Sequence, residues 1–136
     1  MNTVEILYEG DLRTRCKHMA SGVVIGTDAP VDNKGLGQNF SPTDLLATAL
    51  GTCMLTIMGI AAAEHGLDIR GTKVHIKKHM ASGPRRVAQV DVDIFLPDHR
   101  FTPLELKILK VAAKTCPVSL SLSPELVQNL NFHIFN

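Results

Sequence analysis

The chain has 136 residues, 45% of them apolar and 20% charged, with a net charge of +1. That length fits a single domain, 1–136, and allows about two thirds of the unfolded surface to be buried. The only local basic pairs are Lys77-Lys78 and Arg85-Arg86, which excludes a nucleic-acid binder that relies on a broad basic face.

The first residues, MNTVEILYEGD, carry acids at Glu5 and Glu9 and no basic-then-apolar signal pattern, so a cytoplasmic protein is expected. Residues 3–8 alternate loosely and read as a strand, ended by the turn signal Gly10-Asp11. Residues 12–19 read as a second strand. Leu12, Thr14, Cys16 and His18 lie on one face, and Arg13, Arg15, Lys17 and Met19 on the other. After the turn at Ser21-Gly22, the run VVIGTD completes an antiparallel meander. Residues 29–40, rich in Gly, Asn and Pro, form a connection long enough to hint at function or a partner contact.

A long helix follows. Ser41 is a good N-cap, Pro42 suits the first helical position, Asp44 sits where a capping-box acid would, and Gly66 ends the helix. From Leu45 to Ala63 it has no charged residue. That run approaches the length of a membrane span. Its Ala, Gly and Thr content and its lack of Trp, Tyr, Lys or Arg at the ends argue against one. A helix apolar all round belongs inside a core, and a chain this short has little core to offer, so a second subunit is expected to cover it. Gly51 and Gly59, which cost helix stability, make sense if another backbone approaches closely.

Strands are predicted at 69–79 and 86–96, joined by the turn ASGPRR. In the second, Val90, Val92 and Ile94 alternate with Asp91 and Asp93, the pattern of a half-buried strand. Thr102-Pro103-Leu104-Glu105 opens a second helix that stops before Cys116-Pro117; Ser123-Pro124-Glu125 predicts a short third helix, and NFHIF a last strand. The order defines an α+β domain with antiparallel sheet.

Three cysteines are an odd number for a disulfide scaffold. Cys53, at the centre of the apolar helix, is either a buried small hydrophobe or a reactive sulfur. Apolar surroundings oppose its ionisation, so as a nucleophile it needs a cation brought from elsewhere. Cys116 lies at the negative end of a helix, which disfavours a thiolate there. Cys16, on a strand, reads as structural. His75 and His79 share a strand face without any metal-binding motif beside them. They are read as lining a solvated face, and neither a metal nor an organic cofactor is expected.

The run Ser41-Pro42-x-Asp44-Leu45-Leu46, with Leu50-Gly51-x-Cys53 after it, resembles the OsmC/Ohr family of thiol peroxidases, as does Cys116-Pro117-Val118 after the second long helix. The resemblance covers nearly the whole chain. It implies the OsmC-like fold, with antiparallel sheets wrapped around long central helices in an intertwined homodimer. It also implies reduction of organic hydroperoxides: Cys53 attacks the peroxide and becomes a sulfenic acid, Cys116 condenses with it to a disulfide, and an external dithiol resets the pair. An early-strand arginine, Arg15 or Arg13 with Arg15 slightly favoured, would stabilise the thiolate. Leu50 and Met54 would help to shape a pocket for an organic peroxide. One position departs from the best-characterised branch, where a glutamate directly after the helix-start proline orients the arginine; here that residue is Thr43. Asp44 is 100° further round the helix and is not expected to do the same job, so the chain resembles the divergent OsmC-like branch. The alternative function is a non-catalytic, small-molecule-binding or redox-sensing dimer of the same fold. Neither nucleic acid nor membrane is expected as a partner.

Overall fold

The structure, a computed structural model, describes residues 1–135. It divides into two compact units, Met1–Leu46 and the remainder. The first holds an antiparallel meander of β1 (Val4–Gly10), β2 (Arg13–His18) and β3 (Val24–Asp28). Between β1 and β2 the chain reverses through Asp11 and Leu12, both at positive φ (57° and 62°), the backbone that a two-residue hairpin turn of matching twist demands. The predicted strands stand here with their ends moved by a residue or two.

The connection after β3 is folded down rather than loose. Asp28 N–H donates to Phe40 O, Gly35 N–H to Pro30 O and Gly37 N–H to Ala29 O. A short 3-10 turn spans Val31–Asn33. At Gly35 a Cβ would lie 1.8 Å from the Ala29 carbonyl oxygen, so only glycine allows the loop to press this closely on the chain it follows.

Helix α1 (Pro42–Glu64) starts at the end of the first unit, and its body belongs to the second. Its start is a reciprocal cap: Asp44 N–H donates to Ser41 Oγ at 3.0 Å, and Ser41 N–H to Asp44 Oδ2 at 2.9 Å. Helix α2 (Pro103–Lys114) repeats the device with Thr102 and Glu105. Both caps match the sequence expectation.

The rest of the second unit comprises β4 (Lys73–Ala81), β5 (Arg86–Pro97), α2, α3 (Pro117–Ser121) and β6 (Val127–Phe135), with the sheet ordered β4-β5-β6. β4 starts four residues later than predicted. Asp68 Oδ1 accepts from the Arg70 N–H at 2.9 Å, a side-chain turn that breaks the extended run. β5 and β6 pair in parallel, a departure from the antiparallel expectation, because α2 and α3 carry the chain back before β6 begins. The third helix lies earlier than predicted: Pro117 takes its first position, whereas Ser123–Leu126 makes a single turn, Leu126 N–H to Ser123 O, before β6.

Leu50, Met54 and Met58 of α1, Val90, Val92, Ile94 and Leu96 of β5, and Leu109, Ala113 and Cys116 pack as one core. Each large apolar side chain so buried is worth about 1.5–3 kcal/mol. Gly51 belongs to the same stripe, but what approaches it is side chain rather than backbone: an added Cβ would meet Ile76 Cδ1 at 2.9 Å and Val74 Cγ1 at 3.4 Å, while at Gly59 nothing lies within 4 Å. The expected backbone contact at these glycines is therefore not made within the chain. Pro42–Glu64 is long and apolar enough to cross a membrane by length and composition, with 33% of its most apolar window buried.

On the other face of the sheet, His79 Nε2 lies 2.6 Å from Asp91 Oδ2, and Gln89 Nε2 and Asn129 Nδ2 donate to Asp91 Oδ1 at 2.6 and 3.2 Å. These bonds, that of His79 first, hold the Asp91 carboxyl down at about 2, below its ordinary 3.8. A depressed carboxyl stabilises the fold above its unfolded value and loses that contribution as pH falls through the folded one. The urea midpoint is therefore expected to drop between pH 4 and pH 2. Asp91→Asn should flatten that part of the profile, as followed by circular dichroism.

Candidate active site

The second unit brings two of the predicted residues together. Cys53, on α1, is half-buried and packed at the margin of the core. Cys116 is fully buried, with 0% exposure. It occupies two positions at once. It follows the C-cap of α2, as the sequence indicated, and it is also the N-cap of α3, with its Sγ accepting the Ser119 N–H at 3.4 Å. The backbone that turns from one helix into the next thus fixes the direction of the thiol.

Burial pushes the Cys116 thiol above its ordinary value. The Ser119 N–H opposes that rise, the neighbouring Cys53 side chain adds to it through a hydrogen bond and its charge, and the Val118 backbone lowers it slightly. Cys116 is therefore held as the neutral thiol beside Cys53. A half-buried sulfur thus sits beside a buried, protonated one, and both are free thiols. Leu50 and Met54, expected to shape a ligand pocket, are 0% and 1% exposed and belong to the core, so neither presents surface to a ligand in this chain.

The other predicted residues lie in the first unit. Arg13 and Arg15 stand on the same face of β2, two residues apart. Arg13 is half-buried and Arg15 exposed. Arg13 Nε is 3.7 Å from Asp28 Oδ1, and an Arg13 terminal nitrogen donates to Gln38 Oε1 at 2.5 Å. Asp28 and Gln38 were missed in the sequence. The available signal was an acid closing the run VVIGTD, and only the strand register gives it meaning. Cys16 lies on the opposite strand face, 3.7 Å from Thr14 Oγ1. It lines a groove of about 440 Å³ with Val4, His18, Ser21, Val23 and Ile25.

His75 and His79 have separate engagements. His75 packs against the Phe95 ring at 4.8 Å, and His79 is bonded to Asp91. Among the described residues no three His, Cys, Asp or Glu side chains group as a metal site. Thr43, at the position of the family glutamate, has its Oγ1 3.2 Å from Ser41 Oγ, and Asp44 serves the helix cap.

The fold and the site thus come down to an α+β chain with two neighbouring thiols on two helical elements. A model of the OsmC-like protein family matches residues 35–131, and the chain belongs to that family. A solved protein of Psychrobacter arcticus 273-4, provisionally described as an osmotic stress induced and detoxification response protein, is 47% identical. It superposes with a TM-score of 0.93 over 98% of this chain and 96% of that one. Two more distant structures share the fold. An organic hydroperoxide resistance protein of Elizabethkingia anophelis, with thiocyanate bound, is 16% identical with a TM-score of 0.77 over 99% and 98% of the two chains. The organic hydroperoxide resistance protein OsmC of Legionella pneumophila is 14% identical with a TM-score of 0.72 over 98% of each. No curated protein matches the chain.

The burial difference between the sulfurs gives an expected order of labelling. Iodoacetamide at pH 7.5, followed by mass spectrometry, should modify Cys53 in the native protein. Cys116 should react only once urea has unfolded the chain.

Proposed function

We propose that the protein is a cysteine-based peroxidase that reduces small organic hydroperoxides. The observation that carries this reading is the buried, neutral Cys116 thiol set against the half-exposed Cys53. Membership of the OsmC-like family and the hydroperoxide-resistance names of fold neighbours support it.

The Cys53 thiolate attacks one peroxide oxygen and the O–O bond breaks. The other oxygen leaves as alkoxide and takes a proton to become the alcohol, leaving Cys53 as sulfenic acid. The Cys116 thiol condenses with that acid, forming the Cys53–Cys116 disulfide and releasing water. An external dithiol then exchanges with the disulfide and restores both thiols, itself becoming oxidised. Thiolate formation calls for a cation near Cys53, a role proposed for an arginine of β2, Arg13 or Arg15.

The working form is a homodimer. β1–β3 has apolar residues exposed on both faces: Ile6, Tyr8 and Ile25 on one, Leu7 and Val24 on the other. Apolar side chains exposed on both faces of a thin sheet are surface that a packing partner would take out of water. Ile60 and Leu46 are exposed on α1. A second copy would cover such surfaces in the intertwined arrangement that the resemblance implies.

Wild type is expected to consume cumene hydroperoxide with dithiothreitol as reductant. Cys53→Ser should fall to background, and Cys116→Ala should form the sulfenic acid without the intramolecular disulfide. Wild-type turnover no faster than Cys53→Ser would sink the peroxidase reading and leave a redox-sensing dimer of the same fold. Sedimentation equilibrium should give twice the chain mass.

A further inference from the structure

Strand register gives the two arginines unequal neighbours. Arg13 stands opposite Asp28, whereas Arg15 stands between Gly26 on β3 and Leu7 on β1. One arginine therefore has a carboxylate directly across the strand, whereas the other has glycine and leucine there, with Glu5 on the same face opposite Lys17 instead.

Asp28 is held firmly. It is 1% exposed. Its Oδ2 accepts the Gln38 N–H at 3.0 Å, and its own N–H donates to Phe40 O. Its Oδ1 is buried and has no hydrogen-bond partner. A carboxylate taken out of water needs a compensating charge, and Arg13 Nε, 3.7 Å from that oxygen, is the cation at hand. Gln38 Oε1 takes a terminal nitrogen of the same guanidinium. Arg13 is thus gripped at two points, yet 39% of its side chain stays exposed, at a pocket of about 260 Å³ that Glu9 and Asn39 also line. Arg15 has no such hold: it is exposed, and among the described residues no hydrogen bond or ion pair ties it down.

The geometry points to Asp28, aided by Gln38, as the positioning residue that orients the arginine of this protein, and to Arg13 as that arginine. Asp28 does from β3 what the glutamate after the helix-start proline does in the best-characterised branch, where this chain has Thr43. The inference rests on the thiol-peroxidase reading for its purpose. Its geometry lies wholly within Met1–Leu46.

The test is the rate at which iodoacetamide labels Cys53, which follows its thiolate fraction and needs no peroxide. An opposite charge nearby lowers a pKa by about 1–3 units, so Arg13→Gln should slow labelling at pH 7 about tenfold or more. It should also raise the midpoint of the pH profile by a unit, well beyond the effect of Arg15→Gln. Removing the negative charge of Asp28 would by itself favour a thiolate. Slower labelling in the near-isosteric Asp28→Asn therefore reports lost positioning, and the slowing should vanish in an Arg13→Gln background. Gln38→Ala, at an exposed position, should show a smaller slowing with the same dependence on Arg13, and keeps the test open should Asp28→Asn unfold. Labelling that follows Arg15 or neither arginine, or that Asp28→Asn leaves unchanged or speeds up, overturns the inference. Failure of the peroxidase reading looks different: wild type consumes no hydroperoxide while the dependence of labelling on Arg13 and Asp28 persists.

Discussion

The packing of the Leu50–Met54–Met58 stripe of α1 onto β5 is the contact on which the second unit depends. Val90, Val92, Ile94 and Leu96 point inward because a strand alternates, and the helix stripe repeats every three or four residues. The two periods meet over one surface. Cys53 rides at the margin of that stripe and Cys116 is inside it, so the spacing of the sulfurs follows from the core rather than from a flexible loop. A site built this way is rigid on the protein side. In the proposed cycle, what would change is the bond between the sulfurs, together with whatever local shift of α3 that bond requires.

The two units differ in polarity at the residues of the candidate site. The second holds the two neighbouring thiols in an apolar setting, where burial keeps Cys116 neutral. The first holds charge: Arg13, Asp28, Glu9 and the polar groups of the folded-down loop. An uncompensated charge in the core would be costly, which gives a physical reason for keeping arginine and carboxylate on a separate sheet. Gly35 makes the arrangement compact, because its missing side chain lets the loop that carries Gln38 lie against Ala29.

Much of the fold was legible in the sequence because it rests on local rules. The caps at Ser41/Asp44 and Thr102/Glu105 and the alternation of β5 follow from hydrogen bonds and periodicity within a few residues. Ser123-Pro124-Glu125 has the cap residue and the proline but its acid one position early, with Leu126 where the capping-box acid would stand, and no helix follows, since Val127 is already drawn into pairing with β5. Tertiary pairing outweighed a local signal there. That Cys116 caps α3 was hidden because the helix it starts is only five residues long. The parallel pairing of β6 was hidden because it depends on how far α2 and α3 return the chain. The site was half legible. The two cysteines stood out through family resemblance, and Arg13 and Arg15 were found as a pair. Nothing local distinguishes them, since what separates them is a carboxylate fifteen positions away that only strand register brings opposite one of them.

The hairpin between β2 and β3 is closed by His18 N–H to Val23 O and Gly22 N–H to His18 O, and it acts as a ruler. Side chains on a strand change face with every residue, so one residue inserted near Ser21 would slide β3 by one position and turn Asp28 away from Arg13. Two inserted residues would restore the face but offer the acid to a different partner. The length of this turn, more than the identity of its residues, is then under constraint. A descendant of this chain could change the turn's sequence freely, but could change its length only by finding a new acid for its arginine.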